Sequence, residues 1–389
     1  MRCIINTNMI ADIPWDLERL KKTPQVEWLN RKGTVHSLLY EGEPFKGDCA
    51  TQVFAYYASP GTLNANPELD RDLPAIVLVH GGGGTAFDQW ARKWAADGYA
   101  AIAMDLNGGR PKGGTFSNSG PAMDHPNIFH AMDSSRDQHW CYHGVANVIR
   151  AHSLIRSFPE VDDGRTAITG ISWGGFLTCI VSGLDDRFKA AIPVYGCGYI
   201  HENGPWLPEF EVMTDEHRNQ WIKMYDPSQY LGYCNTPIFF VNGTNDFAYL
   251  PDIYDQSYCL VKGKRNFQIT LEMGHGHQQG WAPKEIEMFV SQYLTDGTPL
   301  PVIHSPTAYP DHRLVASVST KTELLSANLH YTKDTGPYPE RMWDTVRVEI
   351  ADNIIVSNIV TDQKHISILT VTDERNAVVS SQFMFSVHT

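Results

Sequence analysis

The sequence predicts an α/β architecture: a mostly parallel central sheet covered by helices on both faces, followed by a small all-β sandwich of immunoglobulin or fibronectin type III character. Three observations predict it. From Ala75 onward, short continuous apolar runs ("AIVLVH", "AAIAMDL", "TAIT", "FKAAIPVY", "PIFFVNG", "NFQITLEM") alternate with helical stretches ("TAFDQWARKWAADG", "VANVIRAHSLIRSF", "WGGFLTCIVSG", "PKEIEMFVSQYL"). Strands that are apolar at every position belong to a buried parallel sheet. The helices then stop at a proline-rich stretch, "TDGTPLPVIHSPTAYP", and the remainder of the chain has period-two patterning rich in Val, Ile, Thr and Ser, as in "DTVRVEIADNIIVSNIVT" and "HISILTVTD".

In chain order, residues 1–34 read as an amphipathic lead-in. Residues 35–297 form the main domain. It opens on "TVHSLLYEGEPFKGDCATQVFAYYASP", an antiparallel strand pair broken at Gly47. Two insertions interrupt the alternation, at about 107–136 and 198–232. The first is rich in Gly, Pro, Ser and His, and the second carries the helical "DEHRNQWIKMY". Irregular segments of this length in a compact domain are often lids or pocket walls. Residues 298–311 read as a linker and 312–389 as the sandwich.

Composition excludes several classes. With 389 residues, 42% of them hydrophobic, the chain can bury more than one core. A net charge of -13 disfavours nucleic-acid backbones and anionic membranes. The seven cysteines (Cys3, Cys49, Cys141, Cys179, Cys197, Cys234 and Cys259) are odd in number and irregular in spacing, without a CxxC pair, so neither a disulfide framework nor a zinc site is expected. The N-terminus lacks a charged-then-apolar signal pattern, and no apolar run approaches the ~18 residues of a membrane span. A cytoplasmic location and a secreted one with its signal removed both stay open, as does a homo-oligomer.

The chemistry centres on "TAITGISWGGFLTCI". Ser172 sits in a GxSxG pattern between a strand and a helix, a sharp turn that exposes a serine hydroxyl. Gly170 and Gly174 leave room where strand and helix crowd together. The Trp173 N–H lies at the helix N-terminus, where developing negative charge is favoured. A nucleophilic serine needs a base, and the base an orienting acid. "PIFFVNGTNDFAY" delivers Asp246 past one later strand, and "NFQITLEMGHGHQQGW" delivers His275 and then His277 past the next. His275 comes first and is flanked by glycines, which favours it, with His277 as the alternative. Asp105, at another strand end, is the alternative acid. In "VLVHGGGGTAFDQW", Gly81 to Gly84 let backbone N–H groups approach a substrate oxygen, so that with Trp173 they form an oxyanion hole. The stretch lacks both the GK[ST] of a P-loop and the GxGxxG of a dinucleotide site.

These residues resemble the α/β-hydrolase superfamily over roughly Val35 to Leu294, through the HGGGG loop, GISWGG, NGTND and GHGH in that order. Within it they are most similar to the prolyl oligopeptidase, dienelactone hydrolase and acetylxylan esterase group. The resemblance implies Ser172 as nucleophile, His275 as general base and then acid, Asp246 as orienter, and Gly82 with Trp173 as oxyanion donors, Gly83 standing as a substitute for Gly82. Dienelactone hydrolases use cysteine where this chain has Ser172. Fewer than about 75 residues precede the first core strand, too few for the propeller of prolyl oligopeptidases.

His125, His130, Asp133, His139 and His143 cluster in sequence, but their spacing matches no zinc pattern, and His139 and His143 lack the glutamate of HExxH. No metal and no cofactor are expected. Trp206, Trp221 and Trp281 are candidates for pocket lining. The reading is a serine esterase on a small-molecule or carbohydrate ester, with no nucleic-acid or membrane partner. An aminopeptidase or acyl-peptidase of the prolyl oligopeptidase type is the alternative within the same chemistry. A catalytically silent glycan- or partner-binding protein is the alternative outside it.

Overall fold

The computed structural model describes residues 13–109, 113–309, 313–358 and 365–386; Cys3 and the first part of the expected lead-in lie outside them. A short helix, α1 (Leu17–Leu20), precedes three strands, β1 (Val26–Asn30), β2 (His36–Glu41) and β3 (Gln52–Ala58). These pair antiparallel in the order β1-β2-β3. Residues read as lead-in therefore include an edge strand, with Val26 opposite Tyr40. Most of its side chains are exposed, so it carries no hydrophobic alternation to betray it.

The main alternation comes next: α2 (Pro60–Asn64), β4 (Leu73–Val79), α3 (Asp88–Ala96), β5 (Ala100–Met104), α4 (His125–Phe129), α5 (Trp140–Ile155), β6 (Val161–Ile171), α6 (Trp173–Leu184), β7 (Ala190–Val194), α7 (Leu207–Glu211), α8 (Asp215–Tyr225), β8 (Ile238–Gly243), α9 (Pro251–Leu260), β9 (Arg265–Thr270), α10 (His277–Trp281) and α11 (Lys284–Leu294). Strands β5, β4, β6, β7, β8 and β9 lie side by side in that order, all parallel, and β3 joins the β5 edge antiparallel. Every residue of β4, β5, β7 and β8 is buried, which requires cover on both faces. Helix α5 is buried along its whole length, between α6 and strands β4 and β5. The loops after β4, β6, β8 and β9 all leave from the C-terminal edge of the parallel sheet, where sites in open α/β sheets form.

The two insertions meet above that edge. Glu209 of α7 accepts hydrogen bonds from His125 Nδ1–H at 2.7 Å and His130 Nε2–H at 2.6 Å, both from α4 and its C-terminal cap. His217 of α8 lies 3.1 Å from Asp133.

The C-terminal part is all-β. The segment expected as a linker supplies β10 (Val302–Ile303) and β11 (Thr307–Ala308), both pairing with β12 (Arg313–Ser319). After β13 (Leu324–Thr332), β14 (Asp344–Ala351), β15 (Ile354–Asn358), β16 (Ile366–Asp373), β17 (Val378–Ser380) and β18 (Met384–Phe385), two antiparallel sheets result. One runs β11-β12-β15-β14 and the other β14-β13-β16, with β17 and β18 on the far edge of β16. This unit covers the outer edge of the parallel sheet. Ser380 pairs opposite Phe267 of β9, and Ser380 Oγ accepts from Ile269 N–H at 2.9 Å. Glu285 of α11 accepts from Val378 N–H at 2.8 Å, and the Tyr258 hydroxyl of α9 accepts from Phe383 N–H at 2.9 Å. An uncovered β9 would present unpaired backbone groups.

Candidate active site

Ser172 stands between β6 and α6 with φ 57° and ψ -118°, a strained backbone for a residue with a Cβ. The turn is held by Ser172 N–H to Val194 O at 2.9 Å and Phe176 N–H to Ser172 O at 2.8 Å. Two glycines make it sterically feasible. A Cβ on Gly170 would collide with the Gly174 carbonyl, and one on Gly174 with the Val79 carbonyl. Strain of this kind marks functional turns.

Asp246 and His275 arrive from the loops after β8 and β9. Asp246 is 1% exposed. Its Oδ1 accepts from Ala248 N–H at 2.7 Å and Tyr249 N–H at 2.8 Å, and its Oδ2 accepts from His275 Nδ1–H at 2.7 Å. The carboxylate fixes the tautomer: with the proton on Nδ1, Nε2 is free to accept, and it lies 2.9 Å from Ser172 Oγ. Tyr195 supports the imidazole, its ring stacked on that of His275 at 4.3 Å and its hydroxyl donating to Gly274 O at 2.7 Å. The structure thus brings together Ser172, Asp246 and His275, which arrive from three separate loops of the chain.

His277 is placed differently. It opens α10, and its Nε2 accepts the Gly81 N–H at 3.0 Å. Burial, with His80 and His275 nearby, pulls its pKa down to about 4, so it is the neutral acceptor this bond requires. His80 holds the other side of the same loop. Its Nε2 accepts from Leu106 N–H at 2.8 Å, so Nδ1 carries the proton and donates to Gly81 O at 2.8 Å. Burial likewise lowers the His80 pKa. Two neutral imidazoles therefore grip the N–H and C=O of Gly81. With its N–H engaged, Gly81 is not a free donor, whereas Gly82 and Gly83 next along are exposed. Gly82 abuts Trp173, a Cβ there lying 3.1 Å from the Trp173 ring. As the first residue of α6, Trp173 has no intrahelical acceptor for its N–H. Asp105 does not reach either histidine by hydrogen bond. It accepts from Asn107 N–H and Gly109 N–H at Oδ1, and from Thr85 Oγ–H and Ala86 N–H at Oδ2. It organises the loops around the glycine turn.

An aromatic wall borders Ser172. Trp206 lies 5.1 Å from Trp173 and 5.0 Å from Tyr249, and Phe129 lies 5.9 Å from Trp173. The Tyr249 hydroxyl is fully buried and faces the Ser172 side chain, with no hydrogen bond of full geometry to a described residue. Burial holds its pKa well above the usual phenol value, leaving a neutral donor. Trp221 instead donates to Ile128 O at 2.7 Å within the core, and Trp281 packs on Phe87 and Trp90. The histidines that cluster in sequence disperse: His125 and His130 bind Glu209, His139 bonds Tyr225 and Ala131, and His143 donates to Asp137 O. Among the described residues no three His, Cys, Asp or Glu side chains are placed to hold a metal ion. Sequence reasoning missed Tyr249, Tyr195 and the grip of His80 on Gly81. Of these, Tyr249 carried the clearest signal, standing three positions past Asp246.

The fold is the α/β-hydrolase fold. A family model described as acetyl xylan esterase (AXE1) matches residues 39–215, and one described as PhoPQ-activated pathogenicity-related protein matches residues 209–336. Among curated relatives, the acetyl esterase Axe7A of Xylanibacter ruminicola is 24% identical over 219 residues, 52% of this chain and 49% of its own. The uncharacterized peptidase YuxL of Bacillus subtilis is 26% identical over 205 residues, 47% of this chain and 27% of its own. The matched stretch thus spans about half or less of these relatives. Among solved structures, the acetyl xylan esterase from Paenibacillus sp. R4 has a TM-score of 0.56 at 20% identity, covering 72% of this chain and 92% of that one. Acetyl xylan esterase 1 from Thermoanaerobacterium sp. has a TM-score of 0.55 at 16% identity, covering 72% and 95%. The acylaminoacyl peptidase of Pyrococcus horikoshii has a TM-score of 0.50 at 19% identity, covering 68% and 43%.

Proposed function

We propose that the chain is a serine carboxylic-ester hydrolase that removes small acyl groups, acetyl in particular, from carbohydrate esters. The observation that carries the chemistry is the unbroken Ser172–His275–Asp246 hydrogen-bond chain at 2.9 and 2.7 Å beneath a strained turn. Ser172 Oγ attacks the ester carbonyl while His275 Nε2 takes its proton. Asp246 stabilises the imidazolium that forms. The tetrahedral oxyanion rests on the Trp173 N–H and the Gly82 N–H, with Gly83 next in line. His275 then donates its proton to the departing alkoxide, and a water activated by His275 releases the acid from the acyl-enzyme. No step calls for a metal or cofactor.

The acetyl preference is supported by the likeness to the acetyl esterase Axe7A, and next to Ser172 the Trp173 ring packs on Trp206, which packs in turn on Tyr249. The carbohydrate part is supported by the likeness to acetyl xylan esterases. The likeness to an acylaminoacyl peptidase and to YuxL supports a second reading, the same chemistry on an amide. Hydrolysis of p-nitrophenyl acetate compared with an aminoacyl p-nitroanilide separates the two, and activity on neither would leave a silent binding protein. Ser172→Ala should lower the ester rate by on the order of 10⁴-fold or more. A fluorophosphonate should label Ser172 alone, and labelling of another serine would remove the assignment.

A further inference from the structure

The proposed mechanism gives the two halves of an ester different surroundings. The acyl group must face the oxyanion donors, beside Trp173, Trp206 and Tyr249. The alcohol must leave on the side from which His275 delivers its proton. Phe247 borders His275, its ring 4.8 Å from the His275 ring yet 57% exposed. Its open ring is apolar surface that the leaving group of a bound ester can cover.

The loop between β13 and β14 reaches the same place from the C-terminal sheets. Asn245, two residues before Phe247 and adjacent to Asp246, donates through Nδ2 to Pro339 O at 3.0 Å and Arg341 O at 2.8 Å. The loop is stiff in itself. The Arg341 guanidinium lies 3.9 Å over the Tyr338 ring, Arg341 Nε–H donates to Gly336 O at 2.8 Å, and Met342 N–H donates to Asp334 Oδ2 at 2.8 Å. It nevertheless leaves Met342 71% exposed, one residue from the tether.

We propose, building on the esterase reading, that the 333–343 loop together with Phe247 forms the alcohol-side wall of the active site, and that this wall selects esters of bulky alcohols with an apolar ring face, such as acetylated sugar units of a glycan. On this proposal a methyl or nitrophenyl leaving group ends before the loop, whereas an oligosaccharide extends across it. The C-terminal sheets then contribute to specificity, although they supply none of the reacting groups.

The test compares the full chain with Met342→Asp and Asn245→Ala on p-nitrophenyl acetate and on acetylated xylo-oligosaccharides. The ratio of kcat/KM for the oligosaccharide to that for p-nitrophenyl acetate should fall about tenfold, mainly through KM, the size expected when a binding surface gives up one apolar side chain. A ratio within about twofold of wild type in both variants overturns the proposal. A parallel loss on both esters also overturns it, because the loop would then act through the triad. A wild-type chain active on p-nitrophenyl acetate and inert on the oligosaccharide defeats the alcohol-side assignment alone, while one inert on both defeats the esterase reading beneath it.

Discussion

Replacing His277 with alanine removes the acceptor that the structure provides for the Gly81 N–H, bonded to it at 3.0 Å. Gly81 is buried, so the stranded donor costs about 1–3 kcal/mol if the loop stays in place. The loop can relieve that cost by shifting, and the donors next to Gly81 shift with it. Complete removal of an oxyanion donor costs about 10²–10³ in kcat. A donor displaced rather than deleted should cost less, so His277→Ala is expected to lower kcat by about 10–100-fold with little change in KM. His277→Gln, whose side-chain oxygen can accept the same N–H, should recover most of the loss. His275→Ala removes the base itself and should cost on the order of 10⁴-fold or more. The assay is steady-state hydrolysis of p-nitrophenyl acetate, with circular dichroism to establish that each variant is folded. If His277→Ala is as inactive as His275→Ala, or no slower than wild type, the grip on Gly81 is not what orders the oxyanion loop.

Three further outcomes are expected. Tyr249→Phe removes a buried hydroxyl that faces Ser172 without a hydrogen bond of full geometry; kcat should drop by about 2–10-fold if that hydroxyl bonds the reacting groups, while thermal stability holds or rises, and an unchanged kcat would reduce Tyr249 to packing. Acid should destabilise the fold: His152 and His277 are both held neutral, with pKa values lowered to about 4, whereas the unfolded chain takes up protons near 6.5, so the unfolded state binds more protons between these values and stability falls as pH drops from about 6.5 to 4. Urea midpoints measured across that range should decline, and a flat profile would contradict the burial argument. A chain ended at Pro301 uncovers the β9 edge and takes from Glu285 and the Tyr258 hydroxyl the Val378 and Phe383 N–H groups they accept. Its melting temperature should fall by at least several degrees, at about 2–4 °C per kcal/mol, and an unchanged melting temperature would show the C-terminal sheets to be dispensable.

Much of the fold and part of the site were legible in the sequence because they are set by local pattern. Continuous apolar runs specify strands covered on both faces, as β4, β5, β7 and β8 are. The turn at Ser172 is likewise written into GISWGG, since two glycines within five residues are what let the strand and helix meet at a serine with φ 57°. "DEHRNQWIKMY" spans α8, Asp215–Tyr225, because a threonine cap and an amphipathic spacing are both local. Tertiary structure alone decided the rest. His275 and His277 lie two residues apart in one loop, and although the glycines flanking His275 favour it as the base, no local pattern says that His277 opens α10 toward Gly81, 196 positions away. Strand β1 is too exposed to show a pattern, and the proline-rich stretch reads as a linker until its short strands find partners in β12. The same holds for Asn245 reaching Arg341 across 96 residues. Periodicity reports which faces of an element are buried, but it carries no information about which distant backbone group a given side chain will meet, and at this site those long-range meetings give the neighbouring histidines different partners.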